Sequence, residues 1–200
     1  MVGKYQITYE LTYKIKKMKT RILSVMFFVT LFANGVFAQT DRELAVTVSY
    51  ERQDGRGSNQ YAVWIEDAAG KLVKTLYVTR YTAQGGYVSR PGCTPRWVEK
   101  ADAKSLSQQQ VDAFSGATPK SGSHTYTWDL TDEEGKKVAP GTYTFLVQGT
   151  YFFPDHQVLF KGSVDLSTPE EVRIQTTPEF SSDEVQNKGM IKEVTATYTR

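Results

Sequence analysis

Residues 125–147 read TYTWDLTDEEGKKVAPGTYTFLV, two alternating runs separated by a charged turn. In TYTW and TYTFLV apolar side chains return at every second position, the period of a strand with one face in a core. The intervening TDEEGKKVAPG has the composition of a turn, and Gly135 within it can take the positive φ that a tight reversal asks for. Trp128 and Tyr143 are natural core anchors on its two flanks.

The same period appears on both sides of this stretch. Upstream, ELAVTVSY (43–50) sets Leu44, Val46, Val48 and Tyr50 against polar neighbours, and the charged, Gly-rich ERQDGRGSN ends it. QYAVWIED (60–67) and KLVKTLYVT (71–79) are joined by AAG, which predicts a hairpin and, with the first run, a meander. Downstream, HQVLFKGSVDL (156–166) and KEVTATYT (192–199) alternate again. Strands at this spacing predict an all-β fold, an antiparallel sandwich rather than an α/β protein. Residues 80–123 break the rhythm. Their polar run EKADAKSLSQQQVDAF suits one or two short helices, with Ser107 and Gln110 spaced as a capping box. An interruption this long between strands is a candidate for function.

The first 38 residues read as an export signal. Lys16, Lys17, Lys19 and Arg21 precede the apolar run ILSVMFFVTLFANGVFA, and cleavage is expected after Ala38, with Met18 as the natural start. Asn34 and Gly35 interrupt the run and no second hydrophobic span follows, so no membrane span is expected after cleavage. The whole chain has 24 Lys and Arg against 22 Asp and Glu, of which the leader holds six and one, leaving 18 against 21. The basic balance therefore belongs to the leader, and the mildly acidic remainder, residues 39–200, is read as one domain with an insertion at 80–123 and no nucleic-acid partner. Cys93 is the single cysteine, so no internal disulfide can form.

Two resemblances follow. TYTWDLTDEEGKKVAPGTYTFLV resembles the strand, acidic turn and strand of bacterial immunoglobulin-like modules of the flagellar hook-capping type, through Trp128-Asp129, Gly135, Val138, Pro140-Gly141 and Tyr143. More widely, YAVWIEDAAGKLVKTLYV, Trp97, DAFSGATPKSG and the stretch above follow one another as in a family of predicted periplasmic proteins, domain of unknown function 2271. That likeness spans roughly residues 44–160; the Gly-rich segment before Trp97 and a long C-terminal extension depart from it. Members occur near flavin transferases and membrane redox proteins, which the resemblance implies as partners.

The loop VDAFSGATPKSG (111–122) sharpens this. Asp112, Ser115-Gly116-Ala117 and Thr118 resemble the target motif of extracytoplasmic flavin transferases, which join flavin mononucleotide (FMN) to the motif's threonine through a phosphoester. The resemblance implies Thr118 as acceptor, Asp112 and Ser115 to Ala117 as recognition residues, and Trp97, Tyr126 and Trp128 as candidate stacking partners. From the residues alone the loop has two readings: a tight turn satisfied by local hydrogen bonds, or a hydroxyl offered to an outside protein.

Other chemistry finds little footing. His124 and His156 are the only histidines and neither has zinc-type spacing. Asp129, Asp132, Glu133 and Glu134 lack the ligand order of a calcium loop and read as a solvated turn. Tyr151, Phe152 and Phe153 before Pro154 could face a ligand, although a sandwich also needs aromatic core. Two expectations remain, both for a chain that is not itself an enzyme. One is a periplasmic electron-transfer module with FMN on Thr118; the other is a binding or structural module whose loop meets an envelope protein or a glycan.

Overall fold

The computed structural model describes residues 42–54, 59–151, 156–168, 170–183 and 189–199. The expected leader, its start at Met18, and Phe152, Phe153 and Pro154 lie outside the described residues. Among the described residues ten strands form in chain order: β1 (Glu43–Tyr50), β2 (Gln60–Glu66), β3 (Leu72–Thr79), β4 (Ser115–Gly116), β5 (Gly122–Trp128), β6 (Thr142–Thr150), β7 (Gln157–Asp165), β8 (Val172–Gln175), β9 (Thr177–Phe180) and β10 (Ile191–Thr199). They make a four-stranded sheet of order β5-β1-β10-β8 and a six-stranded sheet of order β4-β3-β2-β6-β7-β9. This is the all-β sandwich that the alternation predicts.

Strand β1 shows why. Leu44, Val46, Val48 and Tyr50 are buried while their neighbours are half exposed, so one face lies on the core and one meets water. They meet Val63 and Ile65 of β2 and Phe145 and Val147 of β6 across the sandwich. The β2–β3 hairpin forms as read, and β6 pairs antiparallel with β7 beside it. The predicted meander does not: β1 pairs with β10 and β5, in the sheet opposite β2. Each half-buried strand carries the same period-two pattern whichever sheet it joins, and the long polar connection after Tyr50 is free to cross between sheets.

The deciding stretch is also a crossing. β5 lies in the four-stranded sheet and β6 in the six-stranded one, and the acidic turn carries the chain over. Asp129 Oδ1 accepts from Thr131 N and Oγ1, Asp132 Oδ1 accepts from Glu134 N and Lys136 N, and Glu133 Oε1 accepts from Thr75 N. Gly135 has φ 78°, as its place in the turn predicts. The carboxylates thus shape the turn. Trp128, fully buried, stands edge-on to Tyr143 at 5.1 Å and donates Nε1–H to Thr131 O at 2.7 Å.

The insertion covers the outer face of the six-stranded sheet. A helical turn over Thr82–Gly86 runs into α1 (Tyr87–Ser89), followed by α2 (Pro95–Lys100) and α3 (Gln108–Phe114). Trp97, Val111 and Phe114 pack there on Ala62, Trp64 and Leu146 as a second core. This explains QYAVWIE: β2 has the sandwich core on one side and the insertion on the other, and every residue in it is buried.

Candidate functional site at the Thr118 loop

The helix before the loop is fixed at its start by the predicted capping box. Gln110 N donates to Ser107 Oγ at 3.3 Å, and Ser107 N donates to Gln110 Oε1 at 2.9 Å. α3 buries Val111 and Phe114 and leaves Asp112 exposed, where its Oδ1 accepts from Gln108 Nε2 at 2.8 Å. At Ser115 the backbone turns extended and Ser115-Gly116 becomes β4, parallel to β3, with Val78 opposite Ser115 and Thr79 opposite Gly116. Among the described residues it is the one parallel pair in otherwise antiparallel sheets.

Gly116 has a steric reason. A Cβ there would stand 2.7 Å from Tyr77 Cε2, so only glycine lets the strand lie against that ring. The Tyr77 hydroxyl donates to Ala117 O at 2.9 Å, and His124 Nε2 lies 2.8 Å from Lys120 O. Arg52 N donates to Ser121 Oγ at 2.9 Å. The loop is therefore pinned on both sides of Thr118. Thr118 itself, half-buried, donates from Oγ1 to Asn59 O at 3.4 Å, the outer limit of a hydrogen bond. Asn59 is held by Gln53, whose N donates to its Oδ1 and whose O accepts from its Nδ2, each at 3.0 Å.

Beneath the loop lies a cluster of tyrosines. Tyr77 packs on Tyr61 and on Tyr126, each at 4.9 Å between ring centroids, and Tyr61 packs on Tyr50 at 5.3 Å. The Tyr61 and Tyr126 hydroxyls are hydrogen-bonded to each other, and the Tyr50 hydroxyl is buried without a partner. Burial pushes the Tyr50 phenol up to about 12, and Tyr61 and Tyr77 higher still. Burial raises Tyr126 as well, with the hydrogen bond from Tyr61 working against it. All four stay neutral near pH 7, offering ring faces and hydroxyl donors but no charge.

The six residues singled out from sequence are thus divided. Ser115, Gly116, Ala117 and Thr118 are contiguous at the sheet edge, with Asp112 on the helix that leads into them. Trp97 stands apart: it is fully buried in the second core, edge-on to Phe114 at 5.9 Å, with Nε1–H donated to Thr75 Oγ1 at 3.2 Å. Its ring has no face open to a flavin, and neither does that of Trp128. Tyr126 is half-buried and adjoins Tyr77, so of the three rings considered it is the one near the loop. Tyr77, Asn59 and His124 hold the loop; no sequence spacing announces Tyr77 or Asn59, which lie far from it in the chain, whereas His124 is a local contact to Lys120. Cys93 is buried, and burial pushes its thiol up, away from the reactive thiolate.

Among the described residues no three His, Cys, Asp or Glu side chains gather as metal ligands, and no helix is long and apolar enough to cross a membrane. No curated protein and no solved structure matches the chain. One family model matches residues 43–151, from the first residue of β1 to just past the end of β6, and so takes in the whole Thr118 loop and the tyrosines beneath it. The chain belongs to that family, described as predicted periplasmic protein (DUF2271).

Proposed function

We propose that the chain is an exported immunoglobulin-like sandwich that carries FMN covalently on Thr118, serves as an electron-transfer module, and is not itself an enzyme. One observation carries this reading. The Thr118 hydroxyl sits in an edge loop pinned on both sides, while its own hydrogen bond to Asn59 O is long enough, at 3.4 Å, to be given up easily. The residues fit the group: a hydroxyl held only by one long hydrogen bond, the small exposed Ala117 beside it that leaves room for a visiting enzyme, and the half-buried Tyr126 near at hand.

In the transfer, Thr118 Oγ would form a phosphoester bond to the FMN phosphorus as the pyrophosphate bond of FAD breaks. AMP leaves, and the hydroxyl proton passes to a flavin transferase. Once bound, FMN supplies reversible one- and two-electron chemistry, for exchange with a membrane redox protein. The chain's own residues fix the loop, present the hydroxyl and supply neutral tyrosine rings beside it.

The test is the intact mass of the protein from its native host's envelope, with Thr118→Ala alongside. An increase of one attached FMN in the wild type and none in the variant is expected. An unmodified mass, from a host shown to flavinylate other exported proteins, overturns the reading.

A second reading, a module that binds an envelope protein or a glycan, is favoured by a cleft of about 450 Å³ between α2 and β9, lined in part by Arg96, Glu99, Leu159 and Glu179. Its polar walls are partly engaged already, Arg96 with Glu66 at 3.3 Å and Glu179 with Lys161 at 2.7 Å. The Thr118 site is the better supported.

A further inference from the structure

The parallel pairing of β3 with β4 has a second result. Because Thr79 lies opposite Gly116 and both strands run the same way, Arg80 and Ala117 leave the sheet edge side by side. The first segment of the insertion, residues 80–90, therefore begins beside the loop that bears Thr118. This segment holds Tyr81, 40 % exposed, and Val88, 73 % exposed, the large apolar side chains most open to solvent among the described residues. The Tyr81 ring is held in place rather than loose. The Arg90 guanidinium lies over it at 5.4 Å, and a Cβ on Gly86 would stand 2.4 Å from its Cδ1 and Cε1, so the chain approaches the ring as only glycine can.

Charge is segregated here too. From residue 80 to 98 the chain carries Arg80, Arg90 and Arg96 and no carboxylate, although residues 39–200 as a whole have 18 basic against 21 acidic side chains. Arg80 and Arg90 are exposed, and neither has an acidic partner among the described residues. An ordered tyrosine and unpaired arginines make the composition of an interface hot spot, with the exposed valine adding apolar area beside them and the ordering cost already met in the free protein.

We propose that Arg80, Tyr81, Val88 and Arg90 form the docking patch for the flavin transferase that loads Thr118, through an acidic surface on that enzyme bordering its active site. This rests on the Thr118 reading. The loading enzyme, unlike an electron partner, must touch the Thr118 hydroxyl itself, so the surface next to Thr118 is necessarily covered during transfer. A local basic patch on an acidic protein also orients the encounter, and mutations in such a patch change association and its salt dependence.

The test measures initial rates of FMN attachment by intact mass, with purified transferase from the same host, FAD and increasing concentrations of this protein. It compares wild type, Arg80→Glu/Arg90→Glu and Val88→Asp, each confirmed folded by thermal denaturation. The charge-reversal variant is expected to raise KM roughly tenfold with kcat nearly unchanged, and to lose the rise of KM with salt that the wild type shows. Val88→Asp is expected to raise KM at every salt concentration. Wild type loaded normally and both variants loaded with the same KM would overturn the patch and leave the Thr118 reading standing. A wild type that never gains FMN would overturn both. A fall in kcat alone would also overturn the patch, because docking residues do not act in the chemical step.

Discussion

Gly116→Ala separates what the loop needs for folding from what it offers to a partner. The new Cβ would stand 2.7 Å from Tyr77 Cε2, whereas carbon atoms in contact settle at about 3.5–4.0 Å, so the ring must retreat by about 1 Å. It has little room to do so: Tyr61 and Tyr126 pack on it at 4.9 Å each, and its hydroxyl is tied to Ala117 O. Overpacking of this kind costs about 1–3 kcal/mol, offset by about 0.4–1 kcal/mol because alanine restricts the unfolded chain. A net loss near 1–2 kcal/mol corresponds to a fall in Tm of about 2–8 °C for a domain of this size. The assay is thermal denaturation followed by near-ultraviolet circular dichroism, which reports the tyrosine cluster directly. In a Tyr77→Leu background the added methyl meets no ring, and its cost should largely vanish. A Tm within about 1 °C of wild type, or an equal loss in both backgrounds, would refute the steric argument. Reduced FMN attachment in Gly116→Ala, read without this control, would be credited wrongly to recognition.

Two further outcomes follow from the same neighbourhood. Tyr50, Tyr61, Tyr77 and Tyr126 are all raised above the ordinary tyrosine value of 10.0 by burial, so the folded state holds protons that the unfolded state releases. Their contribution is constant below about pH 10 and is lost as pH climbs above it, so the urea midpoint should drop steeply there and tyrosinate absorbance from the four should appear with unfolding. Gradual ionisation of all tyrosines near pH 10 while the near-ultraviolet spectrum stays native would contradict this. Ser107→Ala removes the acceptor for Gln110 N at the start of α3 and should cost about 1 kcal/mol, read as a shift in denaturant midpoint at constant slope. Wild-type stability in that variant would show that α3 is held by Val111 and Phe114 alone.

Local chemistry was legible in the sequence where it acts over short distances. Alternation in β1, β6 and β10, the β2–β3 hairpin, Gly135 in its turn and the Ser107–Gln110 box all depend on neighbours within a few residues. β9 was hidden because Pro178 argues against a strand, a signal that loses force at the sheet edge where β9 lies. β8 was hidden by its length of four residues. The sheet membership of β1 depends on partners at the far end of the chain, which no local pattern encodes. At the site, the SGAT motif and its hydroxyl were readable. The tyrosine cluster was not, since its members come one each from β1, β2, β3 and β5 and meet only in the assembled sandwich. Trp97 carried a misleading signal: the resemblance implies a ring available for stacking, whereas it is fully buried within the insertion's own core.

The pairing of β1 with β10 bears on when this protein can fold. Glu43 faces Thr199 and Tyr50 faces Ile191, and β10 also carries β8, so the four-stranded sheet lacks an interior strand until nearly the whole chain is present. Contacts of such long sequence separation make for slow, late assembly. A nascent chain of this design holds its four-stranded sheet open while it is being made, and that sheet closes only once β10 has been synthesised.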